Sequence, residues 1–415
     1  MTTLDDKFDR LGVDSAPGQE LRQQVDPGAL KGPILGGVPV DFGHGDVNAF
    51  PPIPGSLQAF VEGFEEGAAQ AYTEYRGRRE VRAGLAARLV DFTGASIDAD
   101  RELILTPGTQ GALFLAMGAC IGRGDKVAIV EPDYFANRKL VEFFEGEIVP
   151  VPMRYLETAD GSGLDLSALE AGFRAGVKLF VFSNPNNPTG VIYSRAEVSA
   201  IAELAQRFGA TVIADELYSR QIFDERCYTH LRGLGTGDPD NVVTIIGPSK
   251  TESLSGFRMG VAIGSARIID RMEKLQAIVS LRAAGYCQAT LRNWFNEPEG
   301  WMRSRIARHQ AIRDDIFAVL SSADGFTARL PEGGSYLFPT IPEVDLDIVS
   351  LSKALRLQAA VSVTPGVEFG PRFTRSFRIN FSQDHDAAVA AIWRIVEIVE
   401  RYRRRPGAIR KAGAA

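Results

Sequence analysis

Five times between residues 103 and 250, a short apolar, β-branched run stops at a cluster of polar and turn-forming residues. Leu103–Leu105 leads into Thr106-Pro107-Gly108-Thr109-Gln110, and Val127–Val130 into Glu131-Pro132-Asp133-Tyr134. Leu179–Phe182 leads into Ser183-Asn184-Pro185-Asn186-Asn187-Pro188-Thr189-Gly190. Val212–Ala214 leads into Asp215-Glu216-Leu217-Tyr218, and Val242–Ile246 into Gly247-Pro248-Ser249-Lys250. Near-continuous apolar runs suit strands buried on both faces, which is how parallel sheets are made. They alternate with segments such as Ala196–Phe208, apolar at helical spacing. That alternation predicts an α/β fold, a mostly parallel sheet sandwiched by helices. Ligands of such sheets bind outside the carboxyl ends of the strands. Every polar cluster falls at such an end, so one crevice can collect them all.

Beyond about residue 305 the pattern changes. An amphipathic stretch over Arg303–Leu320 is followed by strand-like Ser335–Pro339, Val361–Val363 and Phe377–Phe381, then a helix to about Arg403. This predicts a large domain over 51–305. A smaller α+β domain would combine 306–415 with the N-terminal arm, 1–50. At 415 residues the chain is long enough for both. A basic block, Arg401–Arg405 with Arg410 and Lys411, reads as a frayed, solvated tail. Elsewhere the charges are mixed and sum to −6, which argues against nucleic acid or an acidic membrane as partner. The polar N-terminus and the lack of an 18-residue apolar run point to a cytoplasmic protein. Three cysteines without a C-x-x-C pair indicate neither a disulfide framework nor a zinc ribbon. The four histidines, 44, 230, 309 and 385, are too dispersed to suggest a metal site.

Some residues carry chemistry. Gly108-Thr109-Gln110 stands between a strand and the helix-like run Ala112–Ile121, where free N–H groups and the helix dipole suit a phosphate, or where a structural turn suffices. Asp215 ends an apolar strand, and a carboxylate there needs a cation, a metal or a helix N-terminus to face. Lys250 follows a strand, with Ser249 before it and Arg258 eight residues later. In a dry cleft such a lysine loses its proton and attacks a carbonyl, while an arginine forks onto phosphate; in a solvated loop it does neither. Arg378 sits in the apolar run Ser376–Phe381, and needs an internal ion-pair partner or an anionic ligand.

In order and spacing, the segments Ser183–Gly190, Ala214–Tyr218, Ser249–Thr251 and Gly256-Phe257-Arg258-Met259-Gly260 resemble the aminotransferases of fold type I that depend on pyridoxal 5'-phosphate (PLP), in the class I and II branch. The likeness extends from about Val38 to Glu400, and includes Pro331–Pro339, Thr364–Gly366 and Phe369–Pro371. It implies a transfer of amino groups between an L-amino acid and a 2-oxo acid through a Lys250 Schiff base. Lys250 would also shuttle the proton at the substrate Cα, and Asp215 would keep the pyridine nitrogen protonated. Tyr218 and Asn187 would bond the phenolic oxygen, and Tyr134 would cover the ring face. Gly108, Thr109, Gln110, Ser249 and Arg258 would hold the phosphate, with Tyr72 reaching in from the other subunit of a homodimer. Arg378, Asn187 and the backbone at Gly45 would hold the substrate carboxylate.

The chain also departs from the family pattern. Gly247 stands where many relatives have a hydroxyl residue, Glu252 and Ser253 replace the usual aromatic or small residues, and Asp41–Asp46 is a looser version of Gly-Glu-Pro. His44 in that turn reads either as a substrate contact or as a structural histidine. The shared residues also fit other PLP reactions, such as β- or γ-elimination, cyclisation or oxidation. A silent, DNA-fused sensor lacks support, because no helix-turn-helix is evident before residue 40. A dinucleotide enzyme lacks it too, because no G-x-G-x-x-G opens a helix after a strand. Arg282 falls in the stretch that reaches across the dimer in relatives, where it would meet a distal carboxylate of an aspartate or glutamate donor or serve a structural or phosphate-side role.

Overall fold

A computed structural model of the chain describes residues 4–12, 30–234 and 241–404. After the arm strand β1 (Val40–Asp41) come the seven strands of the main sheet: β2 (Leu103–Pro107), β3 (Lys126–Glu131), β4 (Glu147–Pro152), β5 (Val177–Ser183), β6 (Thr211–Asp215), β7 (Val242–Ile246) and β8 (Met259–Ile263). Their spatial order is β2-β8-β7-β6-β5-β3-β4. Pairing is parallel from β7 through β4, and only β8 runs against its neighbours. The expected α/β sandwich is the fold observed.

Burial on both faces explains the apolar runs. Val127 and Ile129 of β3 pack beneath the helices Gly108–Cys120 and Ala266–Val279, whereas Ala128 and Val130 face Leu166–Arg174 and Arg195–Phe208. Leu179 and Val181 against Phe180 and Phe182 repeat this on β5, and all eight are at most 1% exposed. Each such valine, leucine, isoleucine or phenylalanine side chain contributes about 1.5–3 kcal/mol on leaving water. The apolar runs mark β2, β3, β5, β6 and β7 but not β4 or β8. Two prolines break the pattern of β4, which an edge strand tolerates. Gly260 interrupts β8.

The second unit holds β9 (Tyr336–Leu337), β10 (Val361–Ser362), β11 (Thr364–Pro365) and β12 (Phe377–Asn380). β12 lies between β11 and β9, antiparallel to both. β1 pairs with β10 in parallel, Val40 opposite Val361, and Val40, Phe42 and Phe50 join a core made by the helices Trp301–Ser322, Ile348–Ala359 and His385–Tyr402. Leu30 and Leu35 of the arm also pack against this core. The helix Leu4–Leu11 does not. It packs on Phe135–Phe143 of the main sheet's layer, with Lys7 Nζ 4.6 Å above the Phe143 ring. The basic block is also less free than expected. Arg401 bonds Pro33 O and Glu397, and Arg403 pairs with Asp324 and Glu400; residues 405–415 lie outside the described residues. No helix among the described residues is long and apolar enough to cross a membrane.

Candidate active site

The carboxyl ends of β2, β3, β5, β6 and β7 open onto one cavity of about 220 Å³. Its lining contains Thr109, Gln110, Tyr134, Asn187, Asp215, Tyr218, Ser249, Lys250, Arg258 and Arg378, which gathers nearly every candidate named from sequence. Strand register does much of this. Ser183 of β5 is the pairing partner of Asp215 of β6, so two clusters 32 residues apart in sequence end side by side.

At one end, the helix Gly108–Cys120 begins with Pro107 and has no side-chain cap. Its first N–H groups are thus free for an anion. The Arg258 guanidinium lies against Gly108: a Cβ there would fall 2.5 Å from Arg258 Nη2, and Gly108 has φ +74°. Any side chain would be strained and would displace the guanidinium. Arg258 otherwise donates to Ser255 O at 3.1 Å, and Ser249 Oγ to Met259 O at 3.3 Å.

Along the floor, Asp215 accepts a hydrogen bond from Leu217 N at 3.2 Å. Burial pushes its carboxyl up to about 6, against the backbone hydrogen bond and the Lys250 charge. A carboxyl so placed gains most from a cationic partner. Tyr134 Oη donates to Gln110 Oε1 at 2.9 Å. Asp133, to which sequence reasoning gives no role, is buried beneath. It accepts from Tyr134 N and Ser183 Oγ, both at 2.6 Å, and from Ser183 N at 3.0 Å, while desolvation raises it to about 8. Ser183 Oγ in turn accepts from Asn187 N at 3.0 Å.

The opposite wall comes from the second unit. Strand alternation turns Phe377 and Ile379 into their core and Arg378 the other way, into the cavity. Arg378 is 3% exposed and donates to Asn187 Oδ1 and Gly43 O, both at 3.0 Å. Nε has no partner, and no carboxylate pairs with this guanidinium among the described residues. The internal ion pair that sequence leaves open is therefore not what holds it. Gly45 does not line the cavity; Gly43 does, because Asp41 Oδ1 holds Gly43 N at 2.8 Å and folds the turn inward there. His44 also lines the cavity, with Nδ1 3.3 Å from Asp41 Oδ2. Tyr72 stands away from this chain's cavity, 81% exposed, with Arg282 5.6 Å from its ring. The sequence places Tyr336 in the Pro331–Pro339 landmark but gives it no role. It opens β9 just after a Gly-Gly-Ser turn with no chemical signature, yet its hydroxyl meets Tyr218 Oη inside the cavity.

The family described as "Aminotransferase class I and II" matches residues 40–392. The chain belongs to this family.

As an aminotransferase it is similar to an aspartate aminotransferase of Rhodobacter sphaeroides of known structure, with 59% identity and a TM-score of 0.92 over 97% of this chain and all of that one. A probable aspartate aminotransferase of Methanocaldococcus jannaschii is 26% identical over 83% of this chain and 89% of the relative. An arginine–pyruvate transaminase of Pseudomonas aeruginosa is 25% identical over 81% and 83%. Enzymes of this class are generally PLP-dependent and act on small molecules.

The structure also accounts for this aminotransferase's departures. A Cβ on Gly247 would lie 2.7 Å from Thr109 Cγ2, so the threonine side chain fills the room a larger residue would need. Glu252 is buried and accepts from Arg220 Nη1 at 2.7 Å, and Arg220 also pairs with Glu297 and stacks 4.0 Å from the Phe295 ring. Ser253 Oγ accepts from Arg305. The Lys250 turn and the Tyr218 turn are thus tied from behind by one buried ion pair.

Proposed function

We propose that the cavity takes PLP, that Lys250 carries it, and that the enzyme moves amino groups between an L-amino acid and a 2-oxo acid. The observation that carries this reading is the convergence on one cavity of a primary amine, a carboxyl desolvated toward neutrality, and an uncapped helix N-terminus beside a guanidinium. When bound, the cofactor supplies an electron sink next to the substrate Cα. The N–H groups of Gly108, Thr109 and Gln110, with Ser249 and Arg258, hold its phosphate. Asp215 keeps the pyridine nitrogen protonated, Tyr218 and Asn187 bond the phenolic oxygen, and Tyr134 covers the ring. Lys250 Nζ takes and returns the proton at the substrate Cα. Arg378 grips the α-carboxylate with the fork that its neutral partners leave open.

Residues 51–305 form one domain in this reading, and 30–50 with 306–404 the other, with Leu4–Leu11 attached to the first. The enzyme is a cytoplasmic homodimer. Phe64, Tyr72, Tyr75 and Leu281 are exposed around Arg282 and Tyr286, an apolar rim of the kind a second copy covers. Tyr72 then serves the neighbouring subunit's phosphate, and full activity in a verified monomer would refute this. Aspartate is the donor favoured by the names of the relatives, with Arg282 facing its distal carboxylate across the dimer.

The test is an absorbance spectrum of the purified protein before and after borohydride, beside Lys250→Ala. A visible band that borohydride fixes to Lys250, and that candidate donors bleach, is the expected result. A protein that stays colourless with added PLP, and a variant indistinguishable from it, removes the reading.

A further inference from the structure

Close to Lys250 and Tyr218 in sequence, but outside the cavity lining, stands a cluster of charges that the reaction proposed above does not use. Arg220 Nη1 donates to Glu252 Oε1 at 2.7 Å, and Arg220 Nη2 pairs with Glu297. The Glu252 side chain is 1% exposed, that of Glu297 8% and that of Arg220 11%. A buried cluster of this kind adds little stability that apolar side chains of the same volume would not supply. What it fixes is direction, because a guanidinium and a carboxylate meet well only in a narrow range of geometry.

The places of the paired residues give that direction a use. Tyr218 and Lys250 line the cavity, and Arg220 and Glu252 stand two residues beyond them. β6 and β7 are parallel neighbours with Asp215 opposite Ile245, so register fixes where both strands end. It does not fix the turns that follow, which carry Tyr218 and Lys250. The Lys250 turn closes on itself, Ser253 N donating to Lys250 O and Leu254 N to Pro248 O, both at 3.0 Å. Ser253 has φ +56°, a left-handed backbone that a serine adopts only where its surroundings impose it. Three contacts impose it: Arg220 on Glu252, Ile53 N on Glu252 O at 3.3 Å, and Arg305 on Ser253 Oγ. Of the three, the Arg220 bond is the one that runs to the turn of Tyr218.

We propose that Glu252 is a positioning residue. Through Arg220 it fixes where Lys250 stands relative to Tyr218, and so aims Lys250 Nζ at the proton on the substrate Cα. The inference rests on the reading of the cavity given above. The cluster supplies its own control. Glu297 shares the same guanidinium but belongs to neither turn, and Arg220 keeps one carboxylate whichever of the two is removed.

Glu252→Met keeps the volume and cuts the tie, whereas Glu252→Gln keeps an oxygen that accepts from Arg220. Glu297→Met removes the same charge without touching the Lys250 turn. The measurement is the single-turnover change of the cofactor band in each holoenzyme, using the donor that wild type converts fastest, with hydrogen or deuterium at Cα. Glu252→Met should slow this step about 10- to 100-fold, the scale of a misplacement of up to about 1 Å. Its deuterium isotope effect should be at least as large as in wild type, because the loss falls on removal of the Cα proton. Donor affinity should stay within about threefold of wild type. Glu252→Gln should recover most of the rate, and Glu297→Met should stay within about threefold of wild type. An unchanged rate in Glu252→Met overturns the inference, as does a loss whose isotope effect shrinks, since it then lies in another step. Equal losses in Glu252→Met and Glu297→Met, or a Gln variant no faster than the Met variant, assign the effect to charge rather than to the tie and also overturn it. If Glu252→Met does not fold, Glu252→Asp takes its place. Its carboxylate is one methylene shorter and draws the turn toward Arg220, so the same step should slow, and an unchanged rate overturns the inference. A wild-type protein with no cofactor band removes the reading of the cavity itself, a failure distinct from the others.

Discussion

The floor and the wall of the cavity are built in different ways. The floor residues from Gly108 to Lys250 each follow one strand of the main sheet within a few residues, and Arg258 directly precedes β8, so a strand and its adjoining turn place each of them. The wall residues Gly43, Tyr336 and Arg378 are held by pairings that join residue 40 to 361 and 336 to 380. Floor geometry is thus local and fixed by burial on both sheet faces. Wall geometry depends on long-range docking of the arm and the C-terminal strands. The floor also carries the carboxyls that burial raises, Asp133 and Asp215, whereas the wall carries a guanidinium whose hydrogen bonds go to neutral acceptors. In the function proposed above, a site divided in this way has its covalent and proton chemistry on the floor and its recognition on the wall.

Mutations should respect that division. Lys250→Ala on the floor should cut the single-turnover rate by about 10²- to 10⁴-fold, the scale of a lost acid–base group. A loss confined to KM would break the division. On the wall, Arg378→Lys keeps the charge but not the fork, and should lower kcat/KM by about 10- to 100-fold, mostly through KM. Unchanged steady-state kinetics would mean that the carboxylate is anchored elsewhere.

A smaller effect separates the two by pH. Because the Asp215 carboxyl is raised from its ordinary 3.8 to about 6, the unfolded chain ionises first. Stability of the cofactor-free protein therefore falls as pH rises from about 4 to about 6, and a cation bound at Asp215 removes that penalty. Cofactor affinity should weaken by up to about tenfold per pH unit below 6, and the gain in Tm on loading should grow from pH 4 to pH 7. The contribution of Asp133 is present in both forms and cancels from the difference. A Tm gain that is flat with pH would detach Asp215 from the cofactor. Smallest of all, Arg282→Ala should reduce the preference for aspartate over alanine by about tenfold or less while leaving turnover of alanine intact. An unchanged preference removes Arg282 from recognition.

How much of this can be read from the chain follows the same line. The strand-end clusters announce themselves, because apolar runs and turn residues are local signals; Asp215, Lys250 and Asn187 are therefore legible in the sequence. Asp133 and Ser183 stand in those clusters but look like turn residues. Only the pairing of Ser183 with Asp215 brings them under the floor. The sequence points to Gly45, two residues beyond the Gly43 that lines the cavity, since the inward fold of the turn depends on Asp41 holding Gly43 N. Glu252 has no account without its partner, Arg220, which stands 32 positions earlier.

The sequence by itself determined the α/β architecture, the strand ends that meet at the cavity, and the family. Periodicity and turn chemistry act over a few residues and survive in a linear text. Only the tertiary structure decided which phenol meets Tyr218, which glycine carbonyl steadies Arg378, and which arginine compensates Glu252. Those contacts join residues far apart in the chain, and their energies arise from desolvation and distance, which exist only once the chain has folded.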